Sequence, residues 1–414
     1  MTRVTACLAC GAATPTTVLS LGTTPLANRY LTEAQLQEPE PTFPLELLFC
    51  SACGLVQLSE HVDPGLLFGH YLYLTGMSAT MAAHHQELAA SLQQQLRLTA
   101  RDLVVDVASN DGSLLGHFQR HGVRTLGVEP AANLAEVSRA AGIATECVFF
   151  GERAALSLRN RHGPARLLTA NNVLAHVSDL GGFLRGVRTM IEPHGTASIE
   201  VPYLVPMLQK LEYDTIYHEH LSYFSVRALT AAFERAGLAI TALVSLPIHG
   251  GTIRVLARAG DSHGADVAAA RAAEQQNGLE QIETYRQFAD RVAGNRTALR
   301  ALLQGLHKKG ARIAAYGAPA KGNTLLNYCG IGTDLIEYTV DKSPLKAGRW
   351  TPGMHLPIRP QPFLAQDRPD YTLILPWNLT DEIVQQEASY RRQGGRFLVP
   401  LPVPHILPEP HILP

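Results

Sequence analysis

The chain has 414 residues, 46% of them hydrophobic and 17% charged, with 35 Lys and Arg against 36 Asp and Glu for a net charge of −1. That length predicts two to three domains with sizeable cores, and the balance of charge excludes the basic footprint of bulk nucleic-acid binding. No apolar run reaches the roughly 18 residues of a membrane span, and the first residues lack a signal-peptide core. Six cysteines in a chain of this length do not suggest a disulfide framework, so a cytoplasmic location is expected.

In chain order, Cys7-Leu-Ala-Cys10 is answered by Cys50-Ser-Ala-Cys53, two pairs with identical internal spacing. Each pair can place two thiolates on one side of a tight turn, and two such knuckles complete a tetrahedral site for structural Zn2+. Gly11 and Gly54 follow their knuckles, as metal-loop turns require. Four Cys ligands leave no open position, so this metal is expected to fold the module and not to catalyse. Cys147 and Cys329 read as isolated small hydrophobes. Tyr71 and Tyr73 precede a helix expected over 79–98, for which Ser78 is the N-cap.

The run 103–107 reads as a buried strand, and Ala108-Ser109-Asn110-Asp111-Gly112-Ser113 as a turn of small residues opening a helix. Such a turn presents backbone N–H groups to a polar or anionic ligand. A second strand ends in Glu129-Pro130, where a carboxylate can take both hydroxyls of a ribose. A third ends in Asn171-Asn172, followed by His176. The alternation of strand and helix predicts a doubly wound, mostly parallel sheet.

The densest chemistry lies in 213–224, Tyr-Asp-Thr-Ile-Tyr-His-Glu-His-Leu-Ser-Tyr-Phe. Tyr217, His218, Glu219 and His220 supply donors, acceptors and a proton shuttle near working pH. Beyond it, strands are expected at 238–246 and 252–257, around His249-Gly250-Gly251. Helical character is expected from 267 to 306, broken near Gly294-Asn295. Tyr316-Gly317-Ala-Pro319-Ala-Lys321-Gly322-Asn323 then forms a second strand, turn and helix start, and the strand 336–341 again ends in an acid, Asp341. Lys342, Lys346 and Arg349 follow it, and basic groups beside such a turn suit a diphosphate. From Pro400 the Pro-rich tail is expected to be extended surface chain.

These motifs, in this order, resemble the sugar C-methyltransferases, enzymes that place a methyl branch on nucleotide-linked 4-keto-deoxysugars. The resemblance implies an α/β protein of three parts: a zinc module over 1–65, a Rossmann-like S-adenosylmethionine domain over 66–240, and a Rossmann-like nucleotide-sugar domain over 241–414. It implies His220 as general base, with Glu219, Tyr217, His176 and Tyr71 around the sugar. It implies a cofactor site of Asp106, Ala108, Ser109, Asn110, Asp111, Gly112, Glu129, Pro130, Asn171 and Asn172. Substrate contacts are expected from Tyr73, His218, His249, Tyr316, Gly317, Lys321, Asn323, Asp341 and Lys342, the nucleotide being dTDP and the protein a monomer. Two departures stand out: Ala108 where the family usually has Gly, and Thr75-Gly76 where paired serines are usual. The competing readings are an O- or N-methyltransferase on a related sugar, an NAD-dependent oxidoreductase, and a non-enzymatic zinc module on an α/β scaffold.

Overall fold

The computed structural model describes residues 2–13, 15–68, 79–248 and 250–408. Three sheets organise it. The first is antiparallel and holds Thr16–Pro25, Thr42–Phe49 and Val56–Leu58 beside the cysteine knuckles. Its fourth strand, Ser222–Tyr223, comes from the far end of the 213–224 stretch, with Ser222 opposite Gln57 and Tyr223 opposite Val56. The histidine-rich segment is thus pinned to the N-terminal module by backbone hydrogen bonds. Ser225 then caps the next helix, Val226–Arg235, by accepting from the Ala228 N–H at 3.1 Å.

The central sheet has seven strands, ordered Leu238–Leu246, Thr252–Ala259, Ile191–Pro202, Ala165–Asn171, Leu103–Val107, Arg124–Val128 and Thr145–Glu146. All five residues of Leu103–Val107 are buried, as expected for a parallel strand covered on both faces. Side-chain alternation divides them. Leu103, Val105 and Val107 pack with Leu158, Phe183 and Leu184, whereas Val104 packs with Leu88, Leu92 and Phe118 on the opposite face. The parallel core is extended by an antiparallel hairpin, Leu238–Leu246 with Thr252–Ala259, so residue 240 falls inside a strand of this sheet.

The C-terminal sheet has six strands, parallel except for its last pair. The long helix leading to it, Ile282–His307, runs through Gly294-Asn295 without a break. Asn295 is buried there because its amide donates to the carbonyls of Pro400 and Pro402 while its oxygen accepts from the Tyr213 hydroxyl. The interruption lies instead between Ala265–Gln276 and Ile282–His307, where Gly278 takes a φ of +72°. The strand expected over 336–341 is formed only at Thr339–Asp341. In the tail, His405–Ile406 pairs onto the sheet edge. No helix of the described residues is long and apolar enough to cross a membrane.

Candidate active site

The four thiols of Cys7, Cys10, Cys50 and Cys53 lie within 4.8 Å of one another. The two knuckles are built alike. The Gly11 N–H donates to Cys7 O and the Gly54 N–H to Cys50 O, and both glycines have φ near +76 to +79°. Four convergent sulfurs, with no further His, Cys, Asp or Glu donor in the cluster among the described residues, fit a closed, structural Zn2+ site.

In the central sheet the turn 108–112 is held by Glu129. Its Oε2 accepts from the Asn110 N–H and its Oε1 from the Ala131 N–H, each at 2.9 Å. Each oxygen keeps a second lone pair that can accept a further hydrogen bond. Burial pushes the Glu129 carboxyl above the usual range, while those two amides work against the shift. Ala108, Asn110 and Gly112 all have positive φ, so the non-glycine at 108 sits in a conformation that favours glycine. Beside the turn, the Ser109 hydroxyl and Asn171 Oδ1 are buried without partners, as groups awaiting a polar ligand would be. Asp106 accepts from the Thr169 hydroxyl at 2.6 Å, and burial pushes it up to about 7. Asp111 belongs to the turn and Pro130 directly follows Glu129, and Asn172 has a φ of +54° at the strand end.

The catalytic candidates converge where the 213–224 stretch crosses the end of Ala165–Asn171. His220 Nδ1 faces the Thr215 carbonyl at 2.8 Å. A carbonyl only accepts, so Nδ1 carries the proton and Nε2 is left as the basic nitrogen. That Nε2 faces the Tyr217 hydroxyl at 2.9 Å. The His176 ring stands 4.9 Å from the His220 ring, centroid to centroid, and its Nδ1 donates to the Glu219 carbonyl at 2.6 Å. Burial pushes His176 down to about 4, so it is neutral at working pH. The Glu219 carboxyl accepts from Asn28 Nδ2 of the N-terminal module at 2.7 Å, its Oε2 is unpartnered, and burial pushes it up to about 7.

Several expected substrate contacts are used internally. His218 is buried against the N-terminal module, its Nε2 facing the Phe43 and Pro44 carbonyls at 3.3 and 3.2 Å. Tyr316 lies in the C-terminal core and donates to Glu387. Asn323 donates to the Ala27 carbonyl at 2.7 Å. Lys321 lies over the Trp377 ring and bonds Asn378; burial pushes its pKa down, with nearby Asp214 and Glu212 working against the shift. A phosphate there would meet those two carboxylates, so Lys321 is a poor diphosphate anchor. Gly317, Asp341 and Lys342 do share the C-terminal turn. Asp341 accepts from the Ala318 and Ser343 N–H groups at 2.7 and 2.8 Å, with Lys346 Nζ 3.8 Å away. Lys342 is exposed and bonds Gln386. Tyr71, Tyr73 and His249 lie outside the described residues.

Two features carried no signal in the sequence. The loop 26–31 of the N-terminal module brings Asn28 and Tyr30 across to the other domains. Glu200 is fully buried at the end of Ile191–Pro202 between His84 and Arg254. Burial raises its pKa, but the two partners more than offset this and hold it below the usual range.

Family models match in three consecutive pieces: a zinc binding domain at residues 7–68, a methyltransferase domain at 79–243, and a C-methyltransferase C-terminal domain at 247–402. The C-methyltransferase NovU of Streptomyces niveus is 38% identical over 404 residues, 97% of this chain and 96% of its own length. Among solved structures, an S-adenosylmethionine-dependent methyltransferase from Clostridium acetobutylicum is 14% identical and covers 42% of this chain and 90% of its own, with a TM-score of 0.34. One from Mesorhizobium loti is 16% identical and covers 41% and 97%, with a TM-score of 0.32.

Proposed function

The chain belongs to the S-adenosylmethionine-dependent C-methyltransferases that carry an N-terminal zinc binding domain, and we propose that it methylates C3, beside the ketone, of a nucleotide-linked 4-keto-deoxysugar. The observation that carries this reading is the fixed tautomer of His220. Its Nδ1–H is committed to the Thr215 carbonyl, so Nε2 must act as acceptor on the side shared with Tyr217 and His176.

A ketone at C4 acidifies the neighbouring C–H. His220 Nε2 takes that proton, and the electron pair moves into an enolate. The Tyr217 hydroxyl, 2.9 Å from Nε2 here, is placed to turn its hydrogen to the enolate oxygen. Once protonated, His220 remains bonded to the Thr215 carbonyl, which stabilises the imidazolium. S-Adenosylmethionine, when bound, would supply an electrophilic methyl: the new C–C bond forms at the enolate carbon as the S–CH3 bond breaks, its electron pair staying on the sulfur of S-adenosylhomocysteine. General-base help of this kind contributes typically ~10²–10⁴-fold. Neutral His176 borders the same space, and the unpartnered Glu219 Oε2 is an acceptor for a sugar hydroxyl. The turn 108–112 would hold the cofactor, with Glu129 taking the ribose and the unpartnered Ser109 hydroxyl and Asn171 Oδ1 as further polar contacts. The diphosphate is held at the Gly317–Asp341 turn with Lys342, Lys346 and Arg349, in place of Lys321.

The test is transfer of a 13C-labelled methyl from S-adenosylmethionine to a dTDP-linked 4-keto-deoxysugar, with the product read by NMR. A labelled methyl bonded to the carbon beside the ketone is expected. Label on oxygen or nitrogen would overturn the reaction assigned to the site.

A further inference from the structure

The loop 26–31 leaves the zinc-bearing module and is pinned to the C-terminal domain at three points. Asn323 Nδ2 donates to the Ala27 carbonyl at 2.7 Å, the Tyr30 hydroxyl donates to the Ala318 carbonyl at 2.5 Å, and Leu31 bridges to Trp350. From this anchored loop Asn28 Nδ2 reaches the Glu219 Oε1 at 2.7 Å, across 191 residues of sequence. Glu219 is 3% exposed, and among the described residues no cation pairs with it. A carboxyl so deeply buried, with one amide donor and an empty Oε2, is incompletely satisfied. Oε2 is thus left without a partner, on the residue whose own backbone carbonyl orients His176.

We propose that Asn28 is a positioning residue for the reaction: supplied by the zinc module, its amide favours the ionised form of the Glu219 carboxyl and fixes its orientation so that Oε2 receives a hydroxyl or amino hydrogen of the bound sugar. The inference rests on the reading of Glu219 as a sugar contact. It makes the N-terminal module a participant in the catalytic site through a side chain, with its metal holding that loop's parent sheet. Removing the amide donor disfavours the charged form and raises the pKa of Glu219, which burial already puts at about 7. The titratable groups around this stretch are His176, His218, His220 and Tyr217. The Glu219 part of the acid limb of the rate profile is isolated by substitution.

The experiment compares Asn28→Ala, the isosteric Asn28→Asp, Glu219→Gln, and Asn28→Ala combined with Glu219→Gln, all as full-length zinc-loaded protein. Asn28→Ala is expected to lower kcat/KM roughly tenfold or more, the range for losing a hydrogen bond to a charged group. Its acid limb should move to higher pH while zinc content and S-adenosylmethionine affinity stay at wild-type values. Asn28→Asp keeps the shape, replaces the donor by a second carboxyl, and should lose more. The double variant should be no worse than Glu219→Gln alone, because Asn28 acts through Glu219. Additive losses in the double variant, or an Asn28→Asp enzyme with kcat/KM within twofold of wild type and an unmoved acid limb, would overturn the role of Asn28. Wild-type turnover in Glu219→Gln would instead overturn the underlying reading of Glu219 itself.

Discussion

The central and C-terminal sheets each carry a strand, a tight turn and a helix, closed by an acid from the neighbouring strand. Glu129 accepts from the turn amide of Asn110 and from Ala131 two residues on; Asp341 accepts from the turn amide of Ala318 and from Ser343 two residues on. The local solution is the same, and what surrounds it differs. Glu129 is buried without an ion pair among the described residues, and Asp106 lies close by. Asp341 has Lys346 at 3.8 Å, and Lys346 also lies over the Tyr30 ring and bonds the Ala318 carbonyl. An acid at a strand end therefore braces its turn first, and the charge around it decides the ligand. Acidic surroundings suit a cationic sulfonium cofactor; cationic ones suit a diphosphate.

The largest effect should come from removing zinc, since structural sites of this type contribute apparent binding energies of roughly 10–16 kcal/mol to folding. Purified protein should carry about one equivalent, and Cys50→Ser should lower Tm. Because loop 26–31 seats against the C-terminal turn, chelation should raise KM for the nucleotide-sugar more than it weakens the cofactor site. Equal damage to both would break the distinction drawn here. Next comes Glu129→Ala, which leaves ribose hydroxyls and two turn amides short of an acceptor. Calorimetry should show S-adenosylmethionine affinity down by roughly 1–3 kcal/mol, with KM for the sugar unmoved.

Lys346→Ala is the mirror experiment. KM for the nucleotide-sugar should rise about tenfold, the low end for a hydrogen bond to a charged group, while cofactor affinity holds. A Lys346→Ala enzyme with unchanged sugar KM would leave the C-terminal turn without its diphosphate. The smallest effect belongs to Ala108→Gly. The left-handed conformation costs an L-residue roughly 1–2 kcal/mol, and the added freedom of glycine in the unfolded chain offsets about 0.4–1 kcal/mol of that relief. Thermal unfolding should therefore show a net gain between about 0 and 1.6 kcal/mol. Gly317→Ala should lose stability, because φ is +81° and its Cβ would lie 2.7 Å from Pro376 Cδ.

What was legible in the sequence was whatever a short spacing encodes. Cys-x-x-Cys knuckles, buried strands ending in small-residue turns and the Tyr-His-Glu-His run are local patterns with local causes. What was not legible is made by long-range contacts. Asn28 meets Glu219 across 191 residues and Tyr30 meets Ala318 across 288, and neither sits in a recognisable motif. The roles of the two neighbouring histidines are separated only by the fold: Ser222–Tyr223 pairing with the N-terminal sheet turns His218 onto the Phe43 and Pro44 carbonyls and leaves His220 facing Tyr217. Gly294-Asn295 read as a helix break because the residues that satisfy Asn295 lie about a hundred positions away in the tail.

The most direct test of the account is proton exchange at the carbon to be methylated. The full-length protein is held in deuterated water with the nucleotide-linked 4-keto-deoxysugar and S-adenosylhomocysteine, which fills the cofactor site without a methyl to give. Wild type should wash deuterium into the position beside the ketone. His220→Ala should bind both ligands and exchange more slowly by roughly 10²–10⁴-fold. Exchange by His220→Ala at the wild-type rate would contradict the assignment of His220 as the base.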